Sequence, residues 1–111
     1  MRISVKGRNV PVSDELRERV DKKFAKIARQ VSSLADMEVE LSEERNPSIR
    51  DSQVAEVTLH LKGVTLRARE ASTDLAHSVN LAAEDVARQV KRHRDKRRKR
   101  REAHRASPRA A

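Results

Sequence analysis

The chain has 111 residues, with 26 Lys and Arg against 17 Asp and Glu, no cysteine, and Phe24 as its only aromatic side chain. Without cysteine there is no disulfide framework, thiolate metal site or Cys nucleophile. The longest apolar run is Leu81–Ala83, far short of the roughly 20 residues of a membrane helix. No apolar secretion signal follows Met1, so one small, soluble, cytoplasmic domain is expected.

Residues 2–8 alternate, with Ile3 and Val5 on one face, which predicts a half-buried strand. Asn9-Val10-Pro11-Val12 interrupts it, and Ser13 can cap a following helix whose Asp14 and Glu15 suit the positive end of its dipole. Leu16, Val20, Phe24, Ile27 and Val31 recur at steps of three and four, so 14–31 reads as an amphipathic helix. Met37, Val39 and Leu41 alternate with polar residues in a second strand, and the polar stretch 43–52, with Asn46-Pro47, reads as a loop.

Ala55, Val57, Leu59 and Leu61 mark a third strand, and Val64, Leu66 and Ala68 a fourth. The Lys62-Gly63 turn between them predicts a hairpin, although it is a weaker signal than Asn-Gly. Ser72 or Thr73 is placed to cap a second helix with Asp74 in its first turn. Leu75, Val79, Ala82, Ala83, Val86 and Val90 form the apolar stripe of that helix. No Gly or Pro stops it before Pro108, so it can run on into the basic segment, where like-charge crowding should fray it. Residues 103–111 read as disordered.

The predicted fold class is α+β. The order is β-α-β-β-β-α, a four-stranded sheet with both helices packed on one face. Residues 1–93 form the α/β domain, and 94–111 a basic helix extension and disordered tail or linker.

The charge is unevenly placed. Residues 1–87 carry a net −1 and residues 88–111 a net +10, which together give the +9 of the whole chain. Nine of the eleven residues from Lys91 to Arg101 are basic. Such density favours a polyanionic partner, whose condensed counterions are released on binding.

Catalytic chemistry is poorly represented. The two glycines, Gly7 and Gly63, cannot make a phosphate loop or dinucleotide fingerprint. His60, His77, His93 and His104 are far apart and show no zinc-ligand spacing. Adjacent acids such as Glu43-Glu44 and Glu84-Asp85 diverge rather than converge on a cleft. No enzyme activity, metal or cofactor is expected.

Binding chemistry is better represented. Lys22, Lys26 and Arg29 share a ridge of the first helix beside Lys23, and Glu18→Lys22 is spaced as an i,i+4 ion pair. Arg88, Lys91 and Arg92 lie along the second helix, followed by Arg94, Lys96 and Arg97, with Glu84→Arg88 again a local pair. With both helices on one face, the two ridges can form one phosphate-binding surface. Lacking Tyr and Trp, the chain offers no base-stacking platform, which favours folded RNA recognised by shape and phosphate over single-stranded bases. Composition leaves DNA open.

The segments VKGRNVPVSDELRERVDKKFAKI (5–27), DMEVELSEERN (36–46), VTLHLKGVTLRAREASTDL (57–75) and LAAEDVARQVKRHRDK (81–96), in this order, resemble the ribosome hibernation promoting factor family, which includes the ribosome-associated inhibitor A proteins. The resemblance implies binding to the small (30S) ribosomal subunit and its 16S rRNA, in the channel used by mRNA and tRNA, with steric inhibition of translation. Carried over by position, the RNA-binding residues are Lys22, Lys23, Lys26, Arg29, Arg88, Lys91 and Arg92, with Arg94, Lys96 and Arg97 extending the basic helix end. Ala76 and Asn80 depart from the aromatic residue and the Asp that the family often has there. The second, dimerising domain of long members is absent, so a monomer is expected, either a short member or the N-terminal part of a long one. The alternatives are a general double-stranded RNA-binding module, or a protein-interaction module whose basic tail adds solubility.

Overall fold

The computed structural model describes residues 1–106 and orders them as β1 (Arg2–Gly7), α1 (Asp14–Gln30), β2 (Asp36–Glu43), β3 (Gln53–Leu61), β4 (Val64–Ser72) and α2 (Leu75–Ala106). The strands lie in the order β1-β2-β3-β4, with β1 and β2 parallel through the α1 crossover and the other pairs antiparallel. Register aligns Ile3, Met37, Leu59 and Leu66 in one row and Val5, Val39, Val57 and Ala68 in the next. A slip of one residue would turn each strand's apolar set to water, so these rows fix the pairing.

Both helices cover those rows. Val20, Phe24 and Ile27 of α1 and Val79, Ala82, Val86 and Val90 of α2 join the strand residues in a single buried cluster. This is the expected α+β arrangement, one sheet with two helices on one face. Phe24 is fully buried at its centre, and burying a side chain of this kind contributes about 1.5–3 kcal/mol.

Local chemistry sets the boundaries. Ser13 Oγ accepts the Leu16 amide at 3.1 Å and caps α1 as expected, a bond worth about 1 kcal/mol. Beyond Gly7, the Asn9 side chain takes over from the backbone. Its Nδ2 donates to the Glu43 carbonyl at 2.8 Å and its Oδ1 accepts the Glu43 amide at 2.7 Å. The amide group thus copies a strand residue and lengthens the β1–β2 pairing. Gly7 is required there, because a Cβ would strike the Val10 carbonyl. In the Lys62-Gly63 hairpin only Gly63 has positive φ, at 80°. That is the pattern of a type II turn, not of the type I′ turn that Asn-Gly would favour.

The second helix differs from its sequence pattern at both ends. Neither Ser72 nor Thr73 caps it, and Asp74 is not in its first turn. The helix starts at Leu75, and the Asp74 carboxylate accepts the Ala76 amide at 3.3 Å. Ser72 is instead the last residue of β4, and its hydroxyl is buried against the helix. At the other end α2 runs on past Val90 into the basic segment, as expected, but continues through Ala106, so residues 103–106 are helical rather than disordered. Arg, Lys, Glu and Ala are all strong helix formers, and their summed propensity outweighs the like-charge crowding. The remainder of the expected tail, 107–111, lies outside the described residues.

Candidate nucleic-acid interface

The direction of the helices decides which basic residues meet. α1 begins just past the end of β1 and returns to its start, where the Arg2 amide donates to the Ala35 carbonyl at 2.9 Å. α2 begins at the end of β4, where Ser78 meets Ser72, and Gln89 later donates to the carbonyl of Arg67 near the start of β4 at 2.7 Å. Since β1 and β4 point the same way, α1 and α2 run parallel. The last turn of α1 and the last packed turn of α2 therefore lie at one end of the sheet. Lys26 and Arg29 close α1 there, and Arg88, Lys91 and Arg92 leave the sheet beside them on α2.

All ten residues singled out in the sequence are exposed: Lys22, Lys23, Lys26 and Arg29 on α1, and Arg88, Lys91, Arg92, Arg94, Lys96 and Arg97 on α2. Lys22, Lys26 and Arg29 follow the side of α1 opposite Val20, Phe24 and Ile27, which places them on the solvent side of the helix layer. Arg88 and Lys91 take the same position on α2. Lys22 and Lys23 stand one turn back from the shared end. Arg94, Lys96 and Arg97 lie beyond it, on the part of α2 that has left the core, since Val90 is the last buried residue. From Lys91 to Ala106 this part of α2 is about 24 Å long.

The two helical ion pairs expected from spacing are not formed. The Arg and Lys ion pairs among the described residues are Arg2–Asp36, Arg69–Glu56 and Arg98–Asp95, and neither Glu18–Lys22 nor Glu84–Arg88 is one of them. Exposed pairs at this spacing are worth only about 0.3–0.5 kcal/mol, too little to hold two long side chains. None of the ten residues is committed to an acid, so each can meet a phosphate. Beyond Arg97, Lys99, Arg100 and Arg101 continue the exposed arm, in a basic run unbroken from Lys96.

The opposite face of the sheet carries a different pattern. Register sets Asp36, Glu38, Glu40 and Glu56 down its middle strands, flanked by Arg2 and Lys6 on β1 and Arg67 and Arg69 on β4. Three of these acids are held at home, by Arg2 at 3.3 Å, His60 at 3.5 Å and Arg69 at 3.1 Å. This face is charge-compensated, whereas the helix layer and arm are not. Phe24 is buried, so the interface lacks an aromatic platform, as the composition implied. Among the described residues no group of three or more His, Asp or Glu side chains is placed to hold a metal ion. Of the two departures noted in α2, Ala76 is half-buried and Asn80 has its Oδ1 buried without a hydrogen-bond partner.

Residues 3–98 match the family model described as Sigma 54 modulation protein / S30EA ribosomal protein. A ribosome hibernation promotion factor from Picosynechococcus is 31% identical over 97 residues, which are 86% of this chain and 50% of that protein. The ribosome hibernation promoting factor of Salmonella typhimurium is 31% identical over 96 residues, covering 86% of this chain and 96% of its own length. The chain thus spans about half of the first relative and nearly all of the second. Among solved structures, the N-terminal domain of Protein Y from Thermus thermophilus superposes with a TM-score of 0.71 at 30% identity, over 84% of this chain and 99% of that one. A ribosomal subunit interface protein from Coxiella burnetii, with the same TM-score of 0.71 at 20% identity, shares the fold. The chain belongs to the Sigma 54 modulation protein / S30EA ribosomal protein family.

Proposed function

We propose that this protein is a ribosome hibernation factor. It binds the small ribosomal subunit in the channel for mRNA and tRNA, through phosphates of 16S rRNA, and inhibits translation by occupying that space. The observation that carries this reading is the parallel pair of helices, which brings Lys26, Arg29, Arg88, Lys91 and Arg92 to one end of the helix layer without acid partners. The names of its relatives point the same way. Residues 1–93 are the docking domain in this reading and 94–111 its basic extension. Guanidinium groups offer forked donors to phosphate oxygens and ammonium groups offer point charges. The mechanism is steric, so no bond is made or broken.

The test is co-sedimentation with isolated 30S subunits at moderate salt, with tRNA as competitor. Binding that tRNA displaces is the expected result. Equal affinity for naked duplex RNA, or no binding to 30S subunits, would refute the proposal.

A further inference from the structure

The arm of α2 is basic on more than the ridge that faces away from the sheet. In the packed part of the helix, Val79, Ala82, Ala83, Val86 and Val90 form the stripe that meets the core. Steps of three and four carry that stripe onward to His93, Arg97, Arg100 and Arg101. Past Val90 the stripe leaves the core by degrees: His93 is half-buried and Arg97, Arg100 and Arg101 are exposed, so the face that is apolar over the core becomes cationic along the arm. The back of the arm is different. There Glu84, Arg88, Lys91, Asp95, Arg98 and Glu102 follow one another at the same spacing and mix both signs. Asp95 and Arg98 form an ion pair of 3.9 Å on that side.

The geometry points to a second phosphate-binding face on the underside of the arm, built by Arg97, Arg100 and Arg101. It would hold an RNA backbone other than the one met by Lys26, Arg29, Arg88 and Lys91. Those residues look outward from the helix layer, whereas the underside stripe looks back past the end of the sheet, and one strand of phosphates cannot lie against both. The arm would thus sit between two RNA backbones. The family match ends at residue 98, so Arg100 and Arg101 lie outside it. The inference deepens the ribosome-binding proposal and rests on it for the identity of the RNA.

Two double variants remove equal charge from neighbouring positions. R97Q/R101Q strips the underside and R98Q/K99Q strips the back, and circular dichroism checks that helix content is the same in both. Affinity is measured against salt concentration for 30S subunits and, separately, for bulk tRNA as a folded RNA. The underside variant is expected to lose at least about tenfold more affinity for 30S subunits, and to lower the slope of log affinity against log salt by about two, since each phosphate contact contributes close to one. Equal losses from the two variants, on both RNAs, would overturn the inference, because the arm would then act as an undirected cationic rod. If the protein ignores 30S subunits but the underside variant still loses more on tRNA, the second face stands and the ribosome reading falls.

Discussion

Ser72 and Ser78 stand hydroxyl to hydroxyl, 2.7 Å apart, in the buried seam between the end of β4 and the first turn of α2. Ser78 Oγ also lies 2.6 Å from the Gln53 carbonyl and Ser72 Oγ 2.6 Å from the Asp74 carbonyl; with one proton each, one hydroxyl donates to its carbonyl and the other donates to the partner hydroxyl. Two hydroxyls therefore tie the start of β3, the end of β4 and the start of α2 into one joint. This joint sets the angle at which the long helix leaves the sheet.

Replacing Ser78 with Ala should remove the link to β3 and leave buried oxygens without a donor. The expected cost is about 1–3 kcal/mol. Thermal unfolding would show it as a fall in midpoint of several degrees, roughly 4–8 °C for each kcal/mol in a domain of this size. An unchanged midpoint would mean that the joint is dispensable.

Charge reversal at Lys26, Arg88 and Lys91 together should abolish most 30S binding and leave the thermal midpoint nearly unchanged. All three are exposed and outside the ion pairs of the described residues, and surface changes of this kind cost within about 0.5 kcal/mol each. Co-sedimentation and calorimetry on the same preparation separate the two effects. A large loss of stability would show that these side chains support the fold.

The two glycines should respond differently to alanine. At Gly7 the new methyl meets the Val10 carbonyl and, at 2.9 Å, the Val12 side chain, and overpacking of this sort costs about 1–3 kcal/mol. At Gly63 there is open space, so only the positive φ of 80° is penalised, at about 1–2 kcal/mol. Denaturant titration of both variants should therefore show G7A losing stability through a clash, and restoring space with Val12→Ala should recover part of it. The same second change should do nothing for G63A.

A chain ending at Arg98 should fold with the full thermal midpoint, since the last buried residue among the described residues is Val90. Its ribosome affinity should fall and become less dependent on salt, because Lys99, Arg100 and Arg101 are removed. A lower midpoint would show that the arm contributes to the core.

Much of the fold is legible in the residues because each strand alternates cleanly and each helix has one apolar stripe. Met37, Val39 and Leu41, or Val20, Phe24 and Ile27, leave little choice of face. What the residues hide depends on distance or on small energies. Asn9 pairs with Glu43 across 34 positions, and nothing near either residue announces it. Ser72, Thr73 and Asp74 all have side chains able to cap a helix, and only the tertiary demand on Ser72 leaves the task to Asp74. Spacing correctly marks Glu18 and Lys22 as neighbours, yet exposed neighbours gain so little that some pairs form, as Arg98–Asp95 does, and others do not. The basic site residues are legible as a set, but their convergence at one end needs the parallel course of α1 and α2, which follows from strand direction and not from composition.

That parallel course has an electrical consequence. Both helices start at the end of the sheet remote from the arm, where Asp14, Glu15, Asp74, Glu43, Glu44 and Glu70 share the surface with Arg8 and Arg45, so that cations are in no excess there. The arm concentrates cations at the opposite pole of a molecule 67 Å long. In the field of a polyanion such a body experiences a torque as well as a pull. It turns arm first while still separated by a Debye length, about 8 Å at physiological salt, so that the remote pole trails.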